Sequence, residues 1–130
     1  MSAELRWPSK AAALALHDRS KGLHGGAPGP REEGVLESVL ARPANRFRYE
    51  AIDDVCALAA TYLVALASNN AFTDGNKRVA FAVMGLFLRL NGRRLIAAQA
   101  DAVRTVLAVA AGERDIDALA EWVRTRSIEV

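Results

Sequence analysis

The chain has 130 residues, 52% of them hydrophobic, which suits one core rather than two, so residues 1–130 are expected to form a single domain. Its 17 basic and 15 acidic side chains are interspersed, which argues against a general nucleic-acid-binding face, and no apolar run approaches the roughly 20 residues of a membrane span. One cysteine, Cys56, excludes an internal disulfide and a cysteine-based zinc cluster, and without a secretory-type leader the expected location is the cytoplasm.

Trp7-Pro8-Ser9 reads as a helix start, with Ser9 capping a helix through Leu14 and Leu16 to about Arg19. Residues 20–34, with Gly22, Gly25, Gly26, Pro28, Gly29 and Pro30, are expected to be irregular. A short helix over about 31–41 should be stopped by Pro43. From Asp53, Val55, Leu58, Ala59, Tyr62, Leu63 and Leu66 recur at helical spacing and predict a long helix ending near Asn69. A second long helix begins near Asn76, carries Val79, Val83, Leu86, Phe87 and Leu90 as its apolar stripe, and ends at Asn91-Gly92. These two helices form the expected central pair. Gln99 or Asp101 opens a fifth helix with Val103, Val106, Leu107 and Ala110 inward, closed by Gly112. Asp115 caps a sixth with Ile116, Leu119, Ala120 and Val123 inward. Apart from a short strand pair around Leu95-Ile96, the expectation is all-α.

The junction between the central helices reads Asn70-Ala71-Phe72-Thr73-Asp74-Gly75-Asn76-Lys77-Arg78. A helix N-terminus carries partial positive charge, so Lys77 and Arg78 in a first turn are locally unfavourable. A bound polyanion repairs that conflict, which makes phosphate the expected guest. Asp74 reads either as a Mg²⁺ ligand or as a helix cap, and Gly75 either as a close-approach position for phosphate or as an ordinary turn glycine. Asn76 could donate its amide to a phosphate oxygen and Arg78 could bind one bidentately, the plainer alternative being two solvated side chains. Phe72 is an anchor that buries its ring and does not react.

These residues resemble the Fic/Doc signature, His-x-Phe-x-(Asp/Glu)-(Gly/Ala)-Asn-(Gly/Lys)-Arg, at every defined position except the first, where Asn70 replaces histidine. The flanks Ala59-Ala60-Thr61-Tyr62-Leu63-Val64-Ala65 and Leu86-Phe87-Leu88-Arg89-Leu90-Asn91-Gly92 resemble those of Doc-type, death-on-curing toxins. Leu16-His17-Asp18, Gly25-Gly26-Ala27-Pro28-Gly29 and Leu36-Glu37-Ser38 extend the likeness toward the N-terminus. The resemblance implies a compact six-helix bundle whose central helix pair is joined by the active-site loop. It further implies a toxin of a toxin-antitoxin pair that uses ATP and Mg²⁺. Lys77 in place of glycine, and Phe81 where Fic proteins carry a second arginine, favour phosphorylation of a protein such as elongation factor Tu over Fic-type AMP transfer.

By carry-over, Asp74 would hold Mg²⁺, and Gly75 and Asn76 would build the anion cradle. Lys77 and Arg78 would bind phosphate and neutralise its transition-state charge. A small antitoxin with an amphipathic helical segment is the implied partner, with neither nucleic acid nor membrane engaged. Asn70 stands where the family's base accepts the target hydroxyl's proton, which an amide cannot do. Three accounts of Asn70 are open: a deliberately disabled variant, a naturally degenerate member that binds nucleotide or antitoxin without turnover, and an enzyme that recruits a base elsewhere. His17 and His24 are the only histidines for that last account. A plain helical scaffold, which would bind no ATP, is the non-functional alternative.

Overall fold

A computed structural model describes residues 4–26, 29–30 and 32–130. Six helices run in chain order: α1 Lys10–His24, α2 Glu33–Glu50, α3 Val55–Ser68, α4 Asn76–Leu90, α5 Gln99–Ala110 and α6 Ile116–Thr125. Strand β1, Arg93–Leu95, pairs antiparallel with β2, Ser127–Glu129, with Arg94 opposite Ile128, and Ile96 N–H extends the pairing to the Arg126 carbonyl at 2.7 Å. The expected all-α class, the six helices and the strand pair near Leu95-Ile96 are all present.

The helix α3 is the axle of the fold. It is apolar around nearly its whole circumference, with Cys56, Leu58, Ala59, Tyr62, Leu63 and Leu66 all buried, so it must be enclosed rather than laid on a surface. Helices α2, α4, α5 and α6 enclose it. The Tyr62 and Phe87 rings meet at 5.1 Å between centroids, and Trp7 adds 5.5 Å to Phe87 and 5.8 Å to Phe47, which pins the N-terminal segment across the end of the bundle. Asn91 secures that segment by donating to the Arg6 carbonyl and accepting the Arg6 N–H, at 2.8 and 2.9 Å.

Four expectations need correction. The first helix does not stop near Arg19 but continues to His24, because nothing between them forbids helical backbone until Gly25 turns away at φ 77°. The second is not stopped by Pro43, which sits buried inside α2. Proline there removes the bond to the Val39 carbonyl. Packing beyond it offsets that loss: Phe47 meets Trp7, and Arg46 donates to Thr61 Oγ1 at 2.7 Å. The helix ends instead where Ala51 adopts φ 56°. Residue Arg31, the expected start of that helix, lies outside the described residues. Leu90, assigned to the core stripe of α4, is 37% exposed in the last turn. Val103 and Leu107, assigned inward on α5, are 53% exposed, because α5 turns Ala102, Val106 and Val109 to the core instead.

Cap chemistry fixes the helix starts as expected at Ser9 and Asp115, whose side chains accept from Ala12 and Ala118 N–H. Asp54 caps α3 by accepting from Cys56 N–H at 3.0 Å, and also takes both arms of Arg124 at 2.6 and 3.2 Å. The Arg124 contact holds the Asp54 carboxyl below the ordinary carboxylate value, against a smaller opposing effect of burial. A folded-state pKa below the unfolded one stabilises fully above about pH 4 and ceases to do so as pH falls through the lowered value. Asp54→Asn keeps a capping side chain and deletes the charge, so it is expected to cost about 0.2–1 kcal/mol at pH 7. That difference from the parent should shrink below about pH 4, as chemical denaturation at pH 7 and pH 2 would measure.

Candidate functional site

Residues 69–75 carry the chain from α3 into α4, and the turn is fixed from inside. Phe72 is fully buried. The Asn76 side chain binds its main chain in both directions: Oδ1 accepts the Phe72 N–H at 3.0 Å and Nδ2 donates to the Phe72 carbonyl at 2.8 Å. The amide expected to grip a phosphate oxygen is therefore committed to shaping the turn. What Asn76 still presents at the helix end is its backbone N–H.

Gly75 is the residue before α4, at φ 79° and ψ 16°, a left-handed conformation that suits glycine. Its N–H donates to Asp74 Oδ1 at 2.8 Å, so this donor of the expected cradle is already occupied. No side chain caps α4. The N–H groups of Asn76 and Lys77 thus begin the helix with no intrahelical acceptor, as at any helix start. Asp74 is not the cap, which removes the plain alternative for its carboxylate. Its Oδ2 faces Gly26, where a Cβ would stand only 2.8 Å away, so the absence of a side chain at position 26 leaves the exposed carboxylate its place beside the glycine main chain. Pro30 makes an isolated antiparallel bridge to Phe72, tying the same glycine-rich stretch to the motif. Ala27 and Pro28 of that stretch lie outside the described residues.

Lys77 and Arg78 occupy the first turn of α4, both exposed, and among the described residues neither pairs with a carboxylate. Arg78 Nε donates to Ser20 Oγ on α1 at 2.9 Å. Its Nη2 lies 3.3 Å from where a Gly75 Cβ would be, so the guanidinium covers the glycine. Among the described residues no three His, Cys, Asp or Glu side chains gather as a metal cage. A lone carboxylate beside a phosphate site is the donor set of an ion that takes its other ligands from phosphate and water, as Mg²⁺ does.

Asn70 is exposed at the start of the turn. His17 is 3% exposed, with its ring stacked on Phe72 at 3.9 Å between centroids and 12° between planes. Its Nε2 lies 2.8 Å from the Asp74 carbonyl, which can only accept, so Nε2 carries the proton. Its Nδ1 is buried without a partner. Held this way, His17 has no nitrogen open to a target hydroxyl. The other candidate base, His24, ends α1, and its side chain lies outside the described residues.

Beside the cations runs a groove of about 710 Å³ between α1, α4 and α5, lined by apolar Leu23, Phe81, Val103 and Leu107 and by Arg19, Lys77 and Arg78. Sequence periodicity did not reveal it, since Val103 and Leu107 read as core. Ser20 and Gly26 were also missed as site residues: a serine in a helix and a glycine in a glycine-rich loop carry no local sign of which partner they meet.

The Fic/DOC family pattern matches residues 7–88, a span that contains α1, the motif and most of α4. The chain belongs to the Fic/DOC family. It is 38% identical over 120 residues to the protein kinase doc of Escherichia phage P1, covering 92% of this chain and 94% of that protein. It is 41% identical over 68 residues to the toxin Doc of Mycolicibacterium smegmatis, covering 52% of each. Its relatives are thus Doc proteins, one named a protein kinase and one a toxin, as the flanking segments implied. No described helix is long and apolar enough to cross a membrane.

The two hydrogen bonds between the Asn76 side chain and the Phe72 main chain set the shape of the turn, so their loss should be structural first. Asn76→Ala is expected to lower the free energy of unfolding by about 1–3 kcal/mol, because it strands a buried N–H and carbonyl. Urea denaturation measures this, and Asn76→Asp, which keeps the acceptor alone, should fall between parent and alanine variant.

Proposed function

We propose that this chain is a Doc-type toxin built to transfer the γ-phosphoryl group of ATP to a protein hydroxyl, and that Asn70 leaves binding intact while slowing transfer. Elongation factor Tu is the target implied by the resemblance. The observation that carries the reading is the placement of Lys77 and Arg78 at the positive end of α4, beside Asp74 and without a carboxylate partner among the described residues. Two cations and a helix N-terminus together need a polyanion.

In such a transfer the target oxygen bonds to the γ-phosphorus. The bond from that phosphorus to the β–γ bridging oxygen breaks, and ADP leaves with the electron pair. Arg78 and Lys77 would neutralise charge on the phosphoryl oxygens, and the open N–H groups at the start of α4 would orient a phosphate. Asp74 would hold Mg²⁺, whose charge offsets that of the triphosphate. The hydroxyl proton needs an acceptor, and Asn70 offers none at any pH. His17, bound to the Asp74 carbonyl and stacked on Phe72, is not placed to be that acceptor. Phe81, standing where Fic proteins carry a second arginine, supports phosphate over AMP as the transferred group.

The groove supports an antitoxin as partner. An amphipathic helix would lay its apolar side on Leu23, Val103 and Leu107, and its carboxylates would meet Arg19, Lys77 and Arg78. The second reading, a nucleotide- or antitoxin-binding pseudoenzyme, is favoured by Asn70 itself.

Calorimetric titration with Mg²⁺-ATP should show binding that Arg78→Ala weakens, and a chain that binds none is a helical scaffold only. Asn70→His should raise phosphorylation of elongation factor Tu by about 10²–10⁴-fold, read by mass spectrometry, which separates a phosphate from an AMP adduct. Binding with no adduct from the histidine form would favour the pseudoenzyme.

A further inference from the structure

Arg78 does not aim itself. It is an exposed side chain with many rotamers, and among the described residues no carboxylate fixes it. The fixing group comes from a distant part of the chain: Ser20 Oγ, on α1, accepts the Arg78 Nε–H at 2.9 Å. A guanidinium is planar, so holding its Nε edge sets the direction of both Nη groups. Nη2 accordingly lies over Gly75, and the Nη pair remains for a ligand.

The face of α1 that supplies Ser20 is itself locked to the motif. One turn earlier, His17 donates to the Asp74 carbonyl and stacks on Phe72, and its ring atoms would lie 3.6 Å from a Gly75 Cβ. Residues three apart share a helix face, so the imidazole that approaches Gly75 and the hydroxyl that holds Arg78 project from the same side of α1. A histidine buried with Nδ1 unpartnered among the described residues is an unfavourable arrangement that this lock makes intelligible. Relative to that lock, Ser20 Oγ stands at a defined height above the turn.

We infer that Ser20 is a positioning residue for the phosphate site: it holds the Arg78 guanidinium ready before the nucleotide arrives, while His17 fixes α1 to the turn. This rests on the nucleotide-binding reading. Preorganisation lowers the ordering cost of binding, and for one long side chain the gain corresponds to about 2–12-fold in affinity. The hydroxyl is engaged by Arg78 Nε–H, so its effect on binding is expected to pass through that side chain.

A double-mutant cycle on the full chain tests that route, with Mg²⁺-ATP as the titrant and thermal unfolding as control. Ser20→Ala is expected to weaken binding about 2–12-fold with little change in Tm, Ser20→Thr to retain it, and Ser20→Ala to have no further effect in an Arg78→Ala background. Parent-like affinity in Ser20→Ala, while Arg78→Ala binds weakly, overturns the inference and leaves the nucleotide reading standing. An equal loss in both backgrounds also overturns it, since Ser20 would then act through the fold. A parent chain that binds no Mg²⁺-ATP overturns both.

Discussion

The reciprocal hydrogen bonding of the Asn76 amide with the Phe72 main chain governs how the chain passes from α3 to α4. A turn between two buried helices must satisfy its own polar groups, and this amide supplies a donor and an acceptor to one residue whose ring is buried. Because the turn is tied from within, the start of α4 needs no side-chain cap. Gly75 takes that place with nothing projecting. The helix end is thereby left open to solvent with its N–H groups outward, as at the starts of α2 and α5, whereas Ser9, Asp54 and Asp115 close the starts of α1, α3 and α6 with oxygen atoms.

An open helix start with a lysine and an arginine beside it is electrostatically uphill, each cation costing up to about 1 kcal/mol at low ionic strength. Elsewhere some charges are paired, Lys10 with Glu33 and Glu37, Asp54 with Arg124, and Asp101 with Arg126, while Arg19, Arg42 and Arg89, like Lys77 and Arg78, meet no carboxylate among the described residues. What distinguishes the motif is the place of its two cations, side by side in the first turn of a helix. Stability elsewhere tolerates it because the core around α3 and the aromatic cluster of Trp7, Tyr62 and Phe87 do not depend on the helix end.

Much of this was legible in the sequence because periodicity and caps are local. Asp115, Ser9 and the stripe of Val79, Val83 and Phe87 each announce their element within a few residues. Pro43 misled because its cost is local while the packing that offsets it, Phe47 on Trp7 and Arg46 on Thr61, is not. On α5, apolar residues at core spacing serve two surfaces, and periodicity cannot divide Val106 from Val103 and Leu107. The candidate site was legible as a cluster, with Asp74, Gly75, Lys77 and Arg78 in one short stretch at the start of α4. Their supports were not, for Ser20 precedes Arg78 by 58 positions and His17 precedes Asp74 by 57.

Asn76 and Asn70 bracket the motif with the same side chain and opposite consequences. At Asn76 an amide is the right group, because the Phe72 main chain presents both an N–H and a carbonyl and no proton has to move. At Asn70 an amide can orient a hydroxyl but cannot take its proton. In the proposed reading affinity would rest on the helix end, the cations and Asp74, none of which involves residue 70, whereas phosphoryl transfer would need proton removal as well. Binding and turnover would then be separable by a single side chain, and the fold has no reason to register the difference, since Asn70 is exposed and the turn is held by other residues.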